Sequence, residues 1–300
     1  MNNTLNNAKK RKWIIFAAAV IPPLALFFIF VMLPFLKTFY YCFTDWNGMT
    51  KEYNFIGLKN FDKLFHDKVF WKSLKNNMVF CVVGGILTFA IGLFNAVAVT
   101  QSNLKEKNLY KIILFIPQIL SVVAVAIVWK FIYNPSWGVL NGILGFFNLE
   151  ALQHTWLGEK ETVVIALIIV WVWVSVGFYM VLFIAAIEGI SKDIYEASTI
   201  DGAMPWQQFW KITMPLISET IKTCVIFFFI TAFTSVYSLV RIMTEGGPAR
   251  SSEVVTSYMY EVSFKKSQFG YGATIGVSMV LLVAILSGIV LIISRKNNQE

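Results

Sequence analysis

Charge is what this sequence has least of. Only 14% of its 300 residues are Asp, Glu, Lys or Arg, against 57% that are apolar, where a soluble chain carries roughly a quarter charged residues. That shortage excludes an ordinary water-soluble enzyme, and the apolar surplus excludes a disordered chain. Histidine is nearly missing, with His66 and His154 the two present, and Cys42, Cys81 and Cys224 lie far apart without a CxxC pair. A zinc site or a disulfide framework has nothing to build on. No GxxxxGK[ST] occurs, so no phosphate-cradling loop is encoded. Alternation of period two is also absent, which leaves helices rather than a barrel as the way to satisfy a backbone in lipid.

What is present fits a bilayer. Mean hydropathy is +0.65, and 27 Phe, 11 Tyr and 10 Trp suit a molecule with much surface in or near lipid. Six runs are long enough to cross about 30 Å of hydrocarbon: 13–36, 78–100, 112–128, 162–187, 223–240 and 272–293. The first run is too long for a signal segment and lacks a small-x-small cleavage site, so it reads as a retained helix bent at Pro22-Pro23. The net charge of +8 is spread between apolar blocks, which favours anionic lipid over nucleic acid as its partner. An all-α membrane protein with six transmembrane helices is predicted, with tails at 1–12 and 294–300.

Six spans put both termini on one side. The cluster Lys9-Lys10-Arg11-Lys12 marks that side as cytoplasmic. Lys105, Lys107, Lys111, Arg295 and Lys296 fall on the same side, although Lys and Arg as a whole divide almost evenly across the membrane. Lys37, Lys130, Glu188 and Arg241 sit at span ends, where long side chains reach water. With no carboxylate near any midplane, the usual device of a proton- or sodium-driven carrier is missing. Energy for uphill transport would then come from a separate subunit.

One connection stands apart, the segment 189–220 between the fourth and fifth spans. Ser191 is placed to cap a helix over 192–200. Asp201-Gly202 stops it, and Pro205 fits the first turn of a second short helix. Trp206, Phe209, Trp210 and Thr213 recur at helical spacing, and Pro215 marks the junction with the fifth span. Two readings of this hairpin are open on physical grounds. Small residues at the bend would let another protein approach closely, or the hairpin lies on the headgroups with Trp206 and Trp210 as anchors.

The motif decides between them. Glu196-Ala197-Ser198, Asp201-Gly202-Ala203, Ile212 and Met214-Pro215 strongly resemble the EAA loop of importer permeases of the ATP-binding cassette class. Ser198 and Met214 are mild departures from that pattern. The resemblance implies a type I importer permease (MetI-like) fold whose first short helix is a coupling helix. Glu196, Ala197, Ser198, Asp201, Gly202, Ala203 and Pro215 would then belong to the region that docks on the ATPase. Phe55-Ile56-Gly57-Leu58-Lys59-Asn60-Phe61, Phe115-Ile116-Pro117, Trp129, Asn134-Pro135, Trp137 to Asn141, Thr244-Glu245-Gly246-Gly247-Pro248 and Phe269 to Ala273 extend the resemblance over nearly the whole chain. They narrow it to carbohydrate-importer permeases of the MalF-like or UgpA-like type. Val236-Tyr237 replaces the Phe-Asp that many members carry, which weakens substrate inference by analogy.

The resemblance further implies partners: a second homologous permease, two ATPase subunits that hold ATP and magnesium, and an extracellular solute-binding protein. It implies no bond chemistry and no cofactor in this chain, which would lie in a bacterial cell membrane. For a neutral sugar, hydroxyls and flat apolar faces are needed without net charge. Trp173, Ser175, Phe178 and Tyr179 on the fourth span and Thr231, Thr234, Ser235, Tyr237 and Ser238 on the fifth offer that mix, with Gln118 a further polar candidate. Against this set, Ser and Thr in membrane helices often bond their own backbone. Two other functions remain: a glycerol-3-phosphate importer, which would want Arg or Lys along its path, and a standalone facilitator or ion-coupled carrier.

Overall fold

The computed structural model describes residues 2–101 and 106–297, with side chains placed for 11–101 and 106–293. Lys105, and the side chains of Lys9, Lys10, Arg295 and Lys296, lie outside the described residues. Among the described residues the chain is helical, with a single isolated bridge from Thr44 to Phe55. Five helices are long and apolar enough to cross a membrane, and a bent pair brings the number to six. We label the elements α1 (Arg11–Tyr41), α2 (Lys59–His66), α3 (Lys68–Gln101), α4 (Lys107–Ile119), α5 (Val122–Ile132), α6 (Val139–Phe146), α7 (Val163–Glu188), α8 (Lys192–Ile200), α9 (Pro205–Gln208), α10 (Ser218–Met243), α11 (Val255–Tyr260) and α12 (Phe269–Asn297).

The chain divides into two compact units. One holds residues up to His66 together with Met259–Ser278; the other holds Asp67–Tyr258 and the chain from Met279 onward. In the first unit α1 runs without a break through Pro22 and Pro23 and relaxes into a π-helical turn at Phe28–Met32. The loop after it is pinned by polar side chains. Asn60 donates to the carbonyls of Cys42 and Thr44 at 3.0 and 2.8 Å, and the Thr274 hydroxyl donates to Cys42 O at 3.0 Å. The Asp45 carboxylate accepts from the Asn54 backbone and side chain, which holds its pKa below the usual carboxylate value.

In the second unit α7 is the central post. Most of its length is buried, and α3 and α4 pack against it. Hydrocarbon gives two apolar helices no solvent-driven reason to associate, so close backbone approach supplies the attraction. Gly177 provides it, because a Cβ there would overlap the Leu114 carbonyl of α4. At the other end of α3, Asn77 donates to Ala232 O at 3.0 Å and accepts from Val255 N at 2.8 Å. Neighbouring Asn76 donates to the carbonyls of Ser251 and Glu253, each at 2.8 Å. These two amides satisfy buried backbone groups within α10, in the loop after it and at the start of α11.

One span differs from the sequence expectation. The apolar run 112–128 reads as a single helix, yet α4 and α5 meet at 99°. Pro117 inside α4 removes one backbone donor. Ser121 then restarts the chain by accepting the Val123 N–H at 3.3 Å as an N-cap. A hydroxyl that satisfies an amide locally lets the helix resume in a new direction.

Gly177→Val should force α4 away from α7 at a cost of about 1–3 kcal/mol, the range for overpacking. Gly142→Ala, where an added Cβ meets nothing within 4 Å, is the control. Thermal unfolding of the purified protein checks this: the melting temperature falls for Gly177→Val and does not fall for Gly142→Ala, where a helix-interior Gly gains a favourable Cβ.

Candidate functional site

Two features gather most of the candidate residues, and both lie in the second unit. The first is the hairpin between α7 and α10. Ser191 caps α8 by accepting from Asp193 N at 3.3 Å, and Asp201 closes its other end. Gly202 takes φ +77°, a conformation that costs an L-residue with a Cβ about 1–2 kcal/mol. The Gly202 and Ala203 amides then bond back to Thr199 O and Ser198 O at 3.0 and 2.9 Å, the Schellman ending of a helix. Pro205 occupies the first turn of α9, which continues through a π-helical turn at Phe209–Thr213.

Inside the hairpin a single carboxamide joins the two short helices. Gln208 Nε2 donates to Ser198 Oγ at 3.0 Å, Thr199 Oγ1 at 2.9 Å and Tyr195 O at 3.4 Å. The two hydroxyls already give their protons to Tyr195 O, each at 2.8 Å, so only their lone pairs face Gln208. Tyr195 OH also meets Thr213 Oγ1 at 2.8 Å, tying α8 to the approach to α10. Glu196, Ala197, Asp201 and Gly202 are exposed on the outer side, with Ala203 half-buried, and an added Cβ at Gly202 meets nothing. Ser198 is turned inward as part of the brace, and Pro215 is exposed in the short turn Met214–Leu216. The inner side borders a cleft of about 610 Å³ whose walls include Thr100, Lys107, Glu188, Lys192, Tyr195 and Gln208.

The second feature is a cleft of about 270 Å³ between the α4–α5 bend, α7 and α10. Ser175, Phe178, Tyr179, Thr231 and Ser235 line it, together with Gln118. The Thr231 hydroxyl gives its proton to Phe228 O at 3.0 Å, so its lone pairs remain to accept. Four residues expected here are not among the lining. Trp173 is two positions from both Trp171 and Ser175, about 200° around the helix, and packs edge-on against Trp129 at 5.6 Å. Thr234 is exposed and returns its hydroxyl to Ile230 O at 2.8 Å. Tyr237 and Ser238 are half-buried beyond the cleft.

Trp171 and Phe227 also line the cleft and were not picked out from the sequence. Trp171 lies one turn before Ser175 on the same face, a signal that was available. Leu120 and Val122 are brought in by the bend at Ser121, which hydropathy does not reveal. Apart from the Tyr179 phenol, no lining group is ionisable. The arrangement offers hydroxyls, an amide and ring faces to an uncharged solute.

Gln208→Ala should leave α8 and α9 folded but unjoined. The loss of these hydrogen bonds should cost about 1–2 kcal/mol, from a net worth of about 1 kcal/mol for a typical one. Hydrogen exchange checks it, with faster exchange of the Lys192–Ile200 amides and unchanged protection across α7.

Residues 89–299 match the family described as binding-protein-dependent transport system inner membrane component. The chain is 35% identical over 282 residues to the diacetylchitobiose uptake system permease protein NgcF of Streptomyces coelicolor, covering 91% of this chain and 80% of that protein. It is 31% identical over 281 residues to the probable starch degradation products transport system permease protein AmyD of Thermoanaerobacterium thermosulfurigenes, covering 94% of each. Its fold matches a chain in the crystal structure of a bacterial alginate ABC transporter in complex with alginate pentasaccharide-bound periplasmic protein. That match has a TM-score of 0.84 at 22% identity and covers 97% of this chain and 96% of that one. The chain belongs to the family of inner-membrane permease components of binding-protein-dependent transport systems, and its fold is that of an ABC importer permease.

Proposed function

We propose that this permease forms half of the translocation pathway of an ATP-driven importer for a neutral sugar or short oligosaccharide. The observation that carries this reading is the cleft between α7 and α10, whose hydroxyl, amide and aromatic lining includes no carboxylate, ammonium or guanidinium. Sugar C–H faces stack on rings, and sugar hydroxyls exchange hydrogen bonds with Ser175, Tyr179, Thr231, Ser235 and Gln118. The similarity to permease proteins of a diacetylchitobiose uptake system and of a probable starch degradation products transport system supports the substrate class. A phosphate ester would leave its charge uncompensated here.

A second permease of the same family completes the pathway, and of two ATPase subunits, which hold ATP and magnesium, one docks on the exposed face of α8. An extracellular solute-binding protein delivers the sugar, and both termini lie in the cytoplasm. ATP-driven closure of the ATPases moves the hairpin as one body. Because the hairpin joins the end of α7 to the start of α10, its motion reaches the two helices that line the cleft. Glu196, Ala197, Asp201, Gly202 and Ala203 form the docking side, while Ser198 holds its shape and Pro215 sets the junction with α10.

Uptake of a labelled disaccharide by proteoliposomes holding the complete importer tests the proposal. Uptake should require ATP and the ATPase subunits, and Gly202→Asp should abolish it while the protein still inserts. Asp tolerates the left-handed turn better than most residues, so this substitution changes the docking side more than the fold. Sugar accumulation without the ATPase, or normal ATP-driven uptake by Gly202→Asp, would overturn the reading.

A further inference from the structure

Between Lys130 and Glu150 no side chain carries a charge. This stretch leaves the end of α5, makes α6, and precedes α7, so it lies at the end of α7 opposite the hairpin. A solvated loop of this length would normally carry charge, and here it carries large apolar groups instead.

One face of α6 is spoken for. Asn141 accepts from Trp156 Nε1 at 2.8 Å and donates to His154 O at 3.1 Å, while its own carbonyl takes Gln153 Nε2 at 3.0 Å. Leu140 and Leu144 flank it over an apolar cleft of about 310 Å³. The loop beneath is itself fixed, because Glu159 accepts from Thr155 N at 2.7 Å and meets His154 Nδ1 at 2.8 Å. These contacts, the Thr155 amide foremost, hold the Glu159 pKa below the usual carboxylate value. The orientation of α6 is thereby set.

The other face is not covered by any of the described residues. Val139, Ile143 and Phe146 fall at i, i+4 and i+7, and are 60%, 50% and 82% exposed. Trp137 and Phe147 extend the patch at either end. It is continuous with the outward stripe of α5 formed by Val123, Ile127 and Phe131, since the Phe131 and Trp137 rings meet at 5.5 Å. That stripe is apolar along the length of a membrane-crossing segment, and the patch carries the same kind of surface round onto a helix beyond it.

We propose that α6 is an interfacial helix, its Val139–Ile143–Phe146 face seated among the headgroups and upper acyl chains of the leaflet opposite the hairpin. Apolar groups face outward and the backbone is satisfied by its own helix, so this face enters the apolar edge of an interface without burying an unpaired polar group. Anchored this way, α6 fixes the junction between the bent α4–α5 span and α7 in depth. The inference is independent of the substrate reading.

Spin labels on Ile143→Cys, Phe146→Cys and Glu150→Cys test it, in the assembled importer reconstituted into nanodiscs of phosphatidylethanolamine and phosphatidylglycerol. The three native cysteines are buried and stay unlabelled in the folded protein. Collision with oxygen, which enters lipid, is compared with collision with a water-soluble nickel chelate. Oxygen should exceed nickel several-fold at 143 and 146, and the order should reverse at 150. Nickel dominance at 143 and 146 would mean a hydrated face, and exclusion of both reagents would mean a protein partner; either result overturns the proposal. Val139→Cys gives a second reading on the same face should one variant fail to assemble.

Discussion

Hydrocarbon solvates neither a charge nor an unpaired amide, and the rest of this molecule follows from that constraint. The backbone has to close its own hydrogen bonds, so the spans are helices. Charges withdraw to the ends, as the Lys111–Glu188 pair does at 3.3 Å where the spans leave the membrane. A path so stripped of ionisable groups suits a neutral solute. In the proposed mechanism work enters through a polar element in water and is carried inward mechanically.

The hairpin between α7 and α10 has the properties such an element needs. Its outer side is small and open at Ala197 and Gly202, while its inner side is cross-linked by Gln208, Tyr195 and Thr213. Ser198 illustrates the division of labour. It departs from the alanine usual in the motif, and the hydroxyl it adds is an acceptor for Gln208. In this chain the turn chemistry and the brace are therefore matched. The two helices the hairpin connects are the ones that bear Ser175 and Tyr179 on one side of the cleft and Thr231 and Ser235 on the other.

The parts legible in the sequence are those governed by local chemistry. The Ser191 cap, the Asp201-Gly202 stop and the Pro205 start are each decided within four residues, and the structure has them at the expected positions. Five of the nine residues expected along the pathway line one cleft, because helical periodicity sorts faces within one span. The positions of the others have physical causes. Trp173 shares the chemistry of the set but not its angle around the helix, and the Thr234 hydroxyl has a near acceptor one turn back in its own helix. The bend at Ser121 is invisible to hydropathy, since both arms are equally apolar. Gln208, outside the recognised motif, shows its role only once α8 and α9 are folded together.

The central claim is that the hairpin moves as a rigid body with the spans it joins. Its most direct test is the distance between spin labels at Ile200→Cys, on the exposed tip of α8, and Leu216→Cys, at the foot of α10, in the assembled importer. Both sites are solvent-exposed. A rigid hairpin keeps the same distance distribution in the nucleotide-free and ATP-bound states. A distribution that shifts or broadens on ATP binding would show that the motion is absorbed within the hairpin, and would contradict the mechanism.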